Sequence, residues 1–245
     1  MEKILEVKRL TKLYKNKRGI RNLNFDIYQG DVFGFLGPNG AGKTTAMKTI
    51  TGLCRADEGE VRIFGYVLDN NFAKAMQKVG CLIETPDTYE YMSAYKNLQL
   101  AARFYPDLSK TRIDEVLDLV GLTKYKHEKT SNYSLGMKQR LGLATAIISQ
   151  PELVFLDEPT NGLDVEGMID VRNTISRLAR EEQTTFFISS HLIHEIELVC
   201  NRIGIINNGE MIQEGLVTEL LQGDNNSLEE FFVKQVRVDQ GRNHA

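Results

Sequence analysis

The sequence predicts an α/β fold: a parallel-sheet core with helices, an antiparallel N-terminal β part, and a helical insertion over about residues 84–150. Three observations predict it. Two runs, LVFL at 153–156 and TTFFIS at 184–189, are short, apolar and rich in β-formers, as suits strands buried on both faces of a parallel sheet. The segment 165–180 between them reads as a crossover helix. A glycine-rich loop at 37–44 follows an apolar strand and precedes a helical pattern.

The elements follow in order. Ile4 to Leu10 alternates charged and apolar residues, 16–19 is a turn cluster, and Ile20 to Ile27 alternates again with Leu23, Phe25 and Ile27 on one face. Gln29-Gly30 turns the chain into DVFGFL at 31–36, an apolar strand that runs into the loop. Thr44 to Leu53 reads as a helix and EVRIFG at 60–65 as a strand. From about Asn71 to Gln150 the periods are helical, with Ile113, Val116, Leu117 and Val120 spaced i, i+3, i+4, i+7. Ile203 to Ile206, Asn207-Asn208-Gly209 and Glu210 to Gln213 form a hairpin with an Asn-Gly turn. The last roughly 20 residues are polar and read as a loosely attached tail.

Composition excludes several classes. Hydrophobic residues make up 42% and charged residues 26%, which is the globular norm and not that of a disordered chain. Thirty basic residues against 33 acidic ones give a net charge of −3, so no basic excess points to nucleic acid. No run reaches the roughly 18 apolar residues of a membrane span, and residues 1–10 lack a signal-peptide core. Cys54, Cys81 and Cys200 form neither a CxxC pair nor a disulfide framework, which suits a reducing cytosol, and all three read as buried structural thiols.

Gly37-Pro38-Asn39-Gly40-Ala41-Gly42-Lys43-Thr44 matches G-x-x-x-x-G-K-[ST]. Glycines let successive N–H groups turn inward around phosphates, and the following helix adds the positive end of its dipole. In this pattern Lys43 reaches the β- and γ-phosphates and Thr44 ligates Mg²⁺. The apolar strand at 153–156 ends on Asp157 and Glu158. Adjacent carboxylates at the end of a buried strand are costly unless they face a site. Asp157 is the Mg²⁺-side acid, and Glu158 is placed to orient or deprotonate an attacking water. Ser134 and Gly136 open a further helix. On the residues alone this is equally an ordinary capped helix or a second anion site.

Together these motifs resemble the nucleotide-binding subunit of an ATP-binding cassette (ABC) transporter, over about residues 2–220. The resemblance implies a P-loop NTPase (RecA-like) fold in a domain at 1–220, with a tail at 221–245. It makes Tyr14 the aromatic that stacks on adenine and extends the phosphate loop to Thr45. It sets YSLGM at 133–137 in the place of the LSGGQ signature, NGLD at 161–164 at a dimer interface, and His191 as the switch that senses the γ-phosphate. Two departures stand out: Leu135 and Met137 replace signature residues, and Glu84 takes the place of the usual glutamine between subdomains, where a carboxylate still reaches Mg²⁺ or its water. IETPDTYEYMSAYKNL at 83–98 is most similar to the bacitracin-export and lantibiotic-immunity branch. Nearby Tyr89, Tyr91, Met92 and Tyr95 read either as interior packing or as a groove for a short permease helix.

The implied mechanism is ATP hydrolysis in a head-to-tail homodimer. Ser134 and Gly136 of one subunit close over the γ-phosphate held by the other. The implied partner is a polytopic permease at the cytoplasmic face of the cell membrane, with ATP and Mg²⁺ as cofactors and no nucleic acid. Two other readings stand beside it. One is a ribosome-associated ABC ATPase, which resembles two fused cassettes where this sequence shows one. The other is a regulatory module that binds ATP without hydrolysis, against which Glu158 and His191 speak.

Overall fold

A computed structural model of the chain describes residues 2–222 and 227–242. In chain order the first elements are β1 (Lys3–Leu13), β2 (Gly19–Tyr28), β3 (Val32–Leu36), α1 (Lys43–Ile50), β4 (Glu58–Ile63), β5 (Tyr66–Val67) and α2 (Phe72–Met76). Then come β6 (Val79–Leu82), α3 (Ala94–Ala102), α4 (Arg112–Leu119), α5 (Leu135–Ile147), β7 (Leu153–Asp157) and α6 (Val165–Glu181). The chain continues through β8 (Thr185–Ser190), α7 (Ile193–Val199), β9 (Arg202–Asn207), β10 (Glu210–Leu216), α8 (Val217–Leu220) and α9 (Leu228–Arg242). It divides into two compact units, Met1–Gln77 with Thr185–Ala245, and Lys78–Thr184.

In the first unit, β2, β1, β4 and β5 form an antiparallel sheet in that order. β3 lies parallel to both β8 and β9, and β10 returns antiparallel to β9. Every residue of β3 and β8 is buried, as expected for strands covered on both faces. Phe25 of β2 stacks on Phe33 and Phe35 of β3 and on Phe187 of β8, with ring centroids 5.7, 5.9 and 5.8 Å apart. Such ring pairs add roughly 0.5–1.5 kcal/mol beyond their burial, so this cluster anchors the strand that feeds the phosphate loop. On the other face of β3, a Cβ at Gly34 would lie 2.5 Å from Ile196 Cγ2, so α7 is seated directly on the strand. The β9–β10 turn has φ of 48° at Asn208 and 85° at Gly209, the paired left-handed conformation that Asn-Gly favours.

In the second unit, β6 and β7 are parallel, with Leu82 beside Leu156. Ile113, Val116, Leu117 and Val120 are all buried, as the spacing predicts. α5 packs closely on β6: a Cβ at Gly80 would meet the Ala146 carbonyl at 2.1 Å, and one at Gly142 would meet Leu82 Cδ1 at 2.9 Å. Buried Arg112 donates to the carbonyls of Ile147 (2.8 Å) and Ile148 (3.1 Å), which a helix end leaves without an intrahelical partner.

Three expectations change. The stretch read as wholly helical, 71–150, contains β6, a four-residue strand whose identity comes from pairing with β7. Residues 228–242 form helix α9, with Leu228 and Phe231 buried and Asp239 accepting a 2.7 Å bond from Asn207, so this stretch is docked and not loose. Its polar residues hid a narrow apolar stripe. Of the three thiols, only Cys200 is buried; Cys54 is half-buried and Cys81 exposed.

Candidate active site

The loop after β3 is shaped by its glycines. Gly40 (φ 81°) and Gly42 (φ 111°) occupy the left-handed region that residues with a Cβ rarely enter. Gly37 answers a different demand, since a Cβ there would lie 2.5 Å from the Ile206 carbonyl of β9. The Gly209 N–H donates to the Ala41 carbonyl at 2.9 Å, so the hairpin turn buttresses the loop from outside. Pro38, Asn39 and Gly40 are exposed, Ala41 is buried, and Gly42, Thr44 and Thr45 are half-buried. Gly42 is the N-cap of α1 and supplies no side-chain cap, and the first turn carries no acidic residue, which leaves an electropositive helix start. Lys43 is only 6% exposed, and its Nζ donates to the carbonyls of Gly37 (2.8 Å) and Pro38 (3.4 Å). The ammonium therefore lies folded into the loop's own mouth.

β3 and β8 run parallel with Leu36 beside Ser190, so Gly37 and His191 leave the sheet at the same edge. Tyr14 lies one residue beyond β1, in a turn closed by bonds from its N–H to the Arg18 carbonyl and from the Lys17 N–H to its own carbonyl, both 2.8 Å. It is 43% exposed, and its phenol shares a 3.5 Å hydrogen bond with Cys54 Sγ.

In the second unit, the β6–β7 register brings Glu84, Asp157 and Glu158 to one edge. Asp157 ends β7 and is buried; Glu158 is half-buried. Glu84 and Glu158 have φ of 65° and 49°, an unfavourable conformation for residues with side chains and one that collects at functional sites. Ser134 is the N-cap of α5, its Oγ accepting from the Met137 N–H at 3.2 Å. A Cβ at Gly136 would meet only Leu163 Cδ2, at an ordinary 3.7 Å, and Ser134 Oγ at 3.9 Å, so this chain alone does not demand glycine there. Ser134, Leu135 and Gly136 line an open cavity of about 660 Å³ with Gly162, Leu163 and Asp164. The 133–137 and 161–164 segments are thus neighbours.

A second groove, of about 420 Å³, is bordered by Pro86, Tyr89, Leu100, Phe104 and Leu141. Of the four residues in the aromatic segment, only Tyr89 lines it. Tyr91 is exposed beside Tyr89, with ring centroids 6.0 Å apart, and Tyr95 packs against His127 at 5.7 Å. Met92 is half-buried. The contacts of Cys54 with Tyr14 and of Gly209 with Ala41 were not foreseen, because no local pattern signals them.

A buried parallel strand that empties into a glycine-rich loop opening a helix defines a P-loop nucleotide-binding protein. Residues 20–161 match the family model described as ABC transporter. The chain is 44% identical over 220 residues to the bacitracin transport ATP-binding protein BcrA of Enterococcus faecalis, covering 90% of this chain and 71% of that protein. It is 36% identical over 239 residues to the lantibiotic transport ATP-binding protein SrtF of Streptococcus pyogenes, covering 98% and 100%. It is also similar to the dimeric post-hydrolysis state of the ATP-binding cassette MJ0796 bound to ADP and Pi. That match has a TM-score of 0.78 and 25% identity, covering 87% of this chain and 99% of that one. The chain belongs to the ABC transporter family as an ATP-binding subunit, an ATPase that energises transport. Among the described residues, no helix is long and apolar enough to cross a membrane.

Proposed function

We propose that this subunit hydrolyses ATP at the 37–45 loop to drive a membrane exporter of peptide antibiotics or other drugs. The observation that carries the reading is the loop's geometry: two left-handed glycines, an uncapped helix start and a lysine folded into its mouth. Lys43 moves from the Gly37 and Pro38 carbonyls onto the β- and γ-phosphates, while Gly37 to Thr45 supply backbone and hydroxyl donors. Tyr14 stacks on the base. Glu158 orients water and accepts its proton as the water oxygen bonds to the γ-phosphorus and the bond to ADP breaks. His191 holds the γ-phosphate from the neighbouring strand end.

Thr44 and Asp157, with Glu84, are hard oxygen donors of the kind Mg²⁺ takes. Among the described residues no group of three or more His, Cys, Asp or Glu is placed to hold a metal. An Mg²⁺ ion held by Thr44, Asp157 and Glu84 would supply charge neutralisation for the transferring phosphoryl group.

Two subunits pair head to tail, and Ser134 and Gly136 of each close over the partner's nucleotide. Gly136 leaves room for this, because a Cβ there would meet nothing of its own chain closer than 3.7 Å. The groove beside Tyr89 and the 82% exposed Phe104 receives a permease helix and holds the subunit at the cytoplasmic face of the membrane. Similarity to BcrA and SrtF supports peptide antibiotics as cargo. The test is Glu158→Gln: retained ATP binding, lost turnover and an ATP-dependent dimer on size exclusion are expected. Near-normal hydrolysis would remove Glu158 from the chemistry.

A further inference from the structure

Tyr14 presents a problem of positioning. It sits in the β1–β2 connection and is 43% exposed, so core packing alone does not fix its ring. A base-stacking ring must nonetheless keep a set distance from the phosphate loop, because base and phosphates belong to one ligand.

The segment after α1 supplies the link. The Cys54 N–H donates to the Lys48 carbonyl at 2.9 Å, tying this segment to the end of the helix that the phosphate loop opens. Cys54 Sγ then meets the Tyr14 phenol at 3.5 Å. Three residues on, Asp57 grips the end of β1. Its N–H donates to the Thr11 carbonyl (2.8 Å), its Oδ2 accepts from the Leu13 N–H (2.7 Å), and its Oδ1 accepts from Lys12 Nζ (2.8 Å). Tyr14 is thus held at its phenol by Cys54 and by the Thr45 side chain of the phosphate loop, and the strand end just before it by Asp57. The side chains feel these contacts. The Leu13 N–H, then Lys12, hold Asp57 below the usual carboxylate range, and the Cys54 contact, then burial, hold the Tyr14 phenol above its ordinary value.

We propose that Cys54 and Asp57 are positioning residues that fix the Tyr14 ring at a set span from the phosphate loop, and thereby set the affinity for a purine nucleoside triphosphate over its bare phosphate chain. The proposal rests on Tyr14 as the base-stacking residue.

The test compares binding of Mg·ATP and of Mg·tripolyphosphate, which has no base, to the whole chain and to Tyr14→Ala, Cys54→Ala, Cys54→Ser and Asp57→Asn. Cys54→Ala and Asp57→Asn are expected to weaken ATP about 3- to 10-fold and to leave tripolyphosphate unchanged. Cys54→Ser, which keeps a polar partner for the phenol, should recover most of the loss. In the unsubstituted protein, ATP should slow alkylation of Cys54 and tripolyphosphate should not, a measurement that needs no variant to fold. Equal weakening of both ligands would show a merely structural role and overturn the proposal. Wild-type ATP affinity in Cys54→Ala and Asp57→Asn, with Tyr14→Ala weakened, would overturn the bracket and leave the stacking role standing. Wild-type affinity in Tyr14→Ala would overturn both.

Discussion

Lys43→Ala tests the phosphate loop most directly, and the structure bounds its effect. The ammonium is poised over the Gly37 and Pro38 carbonyls at 2.8 and 3.4 Å. On nucleotide binding it exchanges these for phosphate oxygens. Two charge-assisted bonds at about 1.5–3 kcal/mol each give a gross loss of about 3–6 kcal/mol in the variant. Part of this is offset, because the wild-type lysine first gives up its carbonyl contacts, together about 1–2 kcal/mol. The net penalty is about 2–4 kcal/mol, or roughly 30- to 1000-fold in the dissociation constant. Titration calorimetry with Mg·ATP at fixed ionic strength measures it, since screening alters any charge-based affinity. The two carbonyl contacts also hold the free loop together, so a melting temperature lower by roughly 2–8 °C is expected for a chain of this size. A dissociation constant within threefold of wild type would refute the assignment of Lys43 to the phosphates. A weakened constant with an unfolded circular dichroism spectrum would refute the bounded cost to stability.

Tyr133→Phe removes the 2.8 Å bond from the buried phenol to the Tyr125 carbonyl, and urea denaturation should show a loss of about 1 kcal/mol. Burial pushes this phenol up to about 12, so its neutral form stabilises the fold below the ordinary value near 10 and that contribution fades as pH rises from there to about 12; the variant should lose less stability over that window. Glu84→Ala should spare folding and ATP binding yet uncouple hydrolysis from drug protection in cells carrying the permease, with Glu84→Gln keeping part of the coupling. Wild-type ATPase rate and resistance in Glu84→Ala would make the position incidental. Burial pushes the Cys200 thiol well above its ordinary range, so iodoacetamide at neutral pH should label Cys54 ahead of Cys200, which reacts only on unfolding. Mass spectrometry of the labelled peptides would expose the opposite order.

The sequence by itself determined whatever rests on local chemistry. Glycines at 40 and 42 mark backbone that only glycine adopts easily, the apolar spacing from Ile113 to Val120 marks one buried helix face, and an apolar run ending on Asp157 and Glu158 marks a strand with polar business at its end. The tertiary structure alone decided what rests on partners far along the chain. β6 is four residues long and becomes a strand because β7, 74 positions later, pairs with it. Leu228 and Phe231 read as isolated apolar residues in a polar tail until helix α9 turns them onto one buried side. The same holds for Cys54 on Tyr14, 40 positions apart, and for the Gly209 turn on Ala41, contacts that need two separate segments brought together in space. Periodicity reports the face a residue belongs to; it carries no information about which distant group that face will meet.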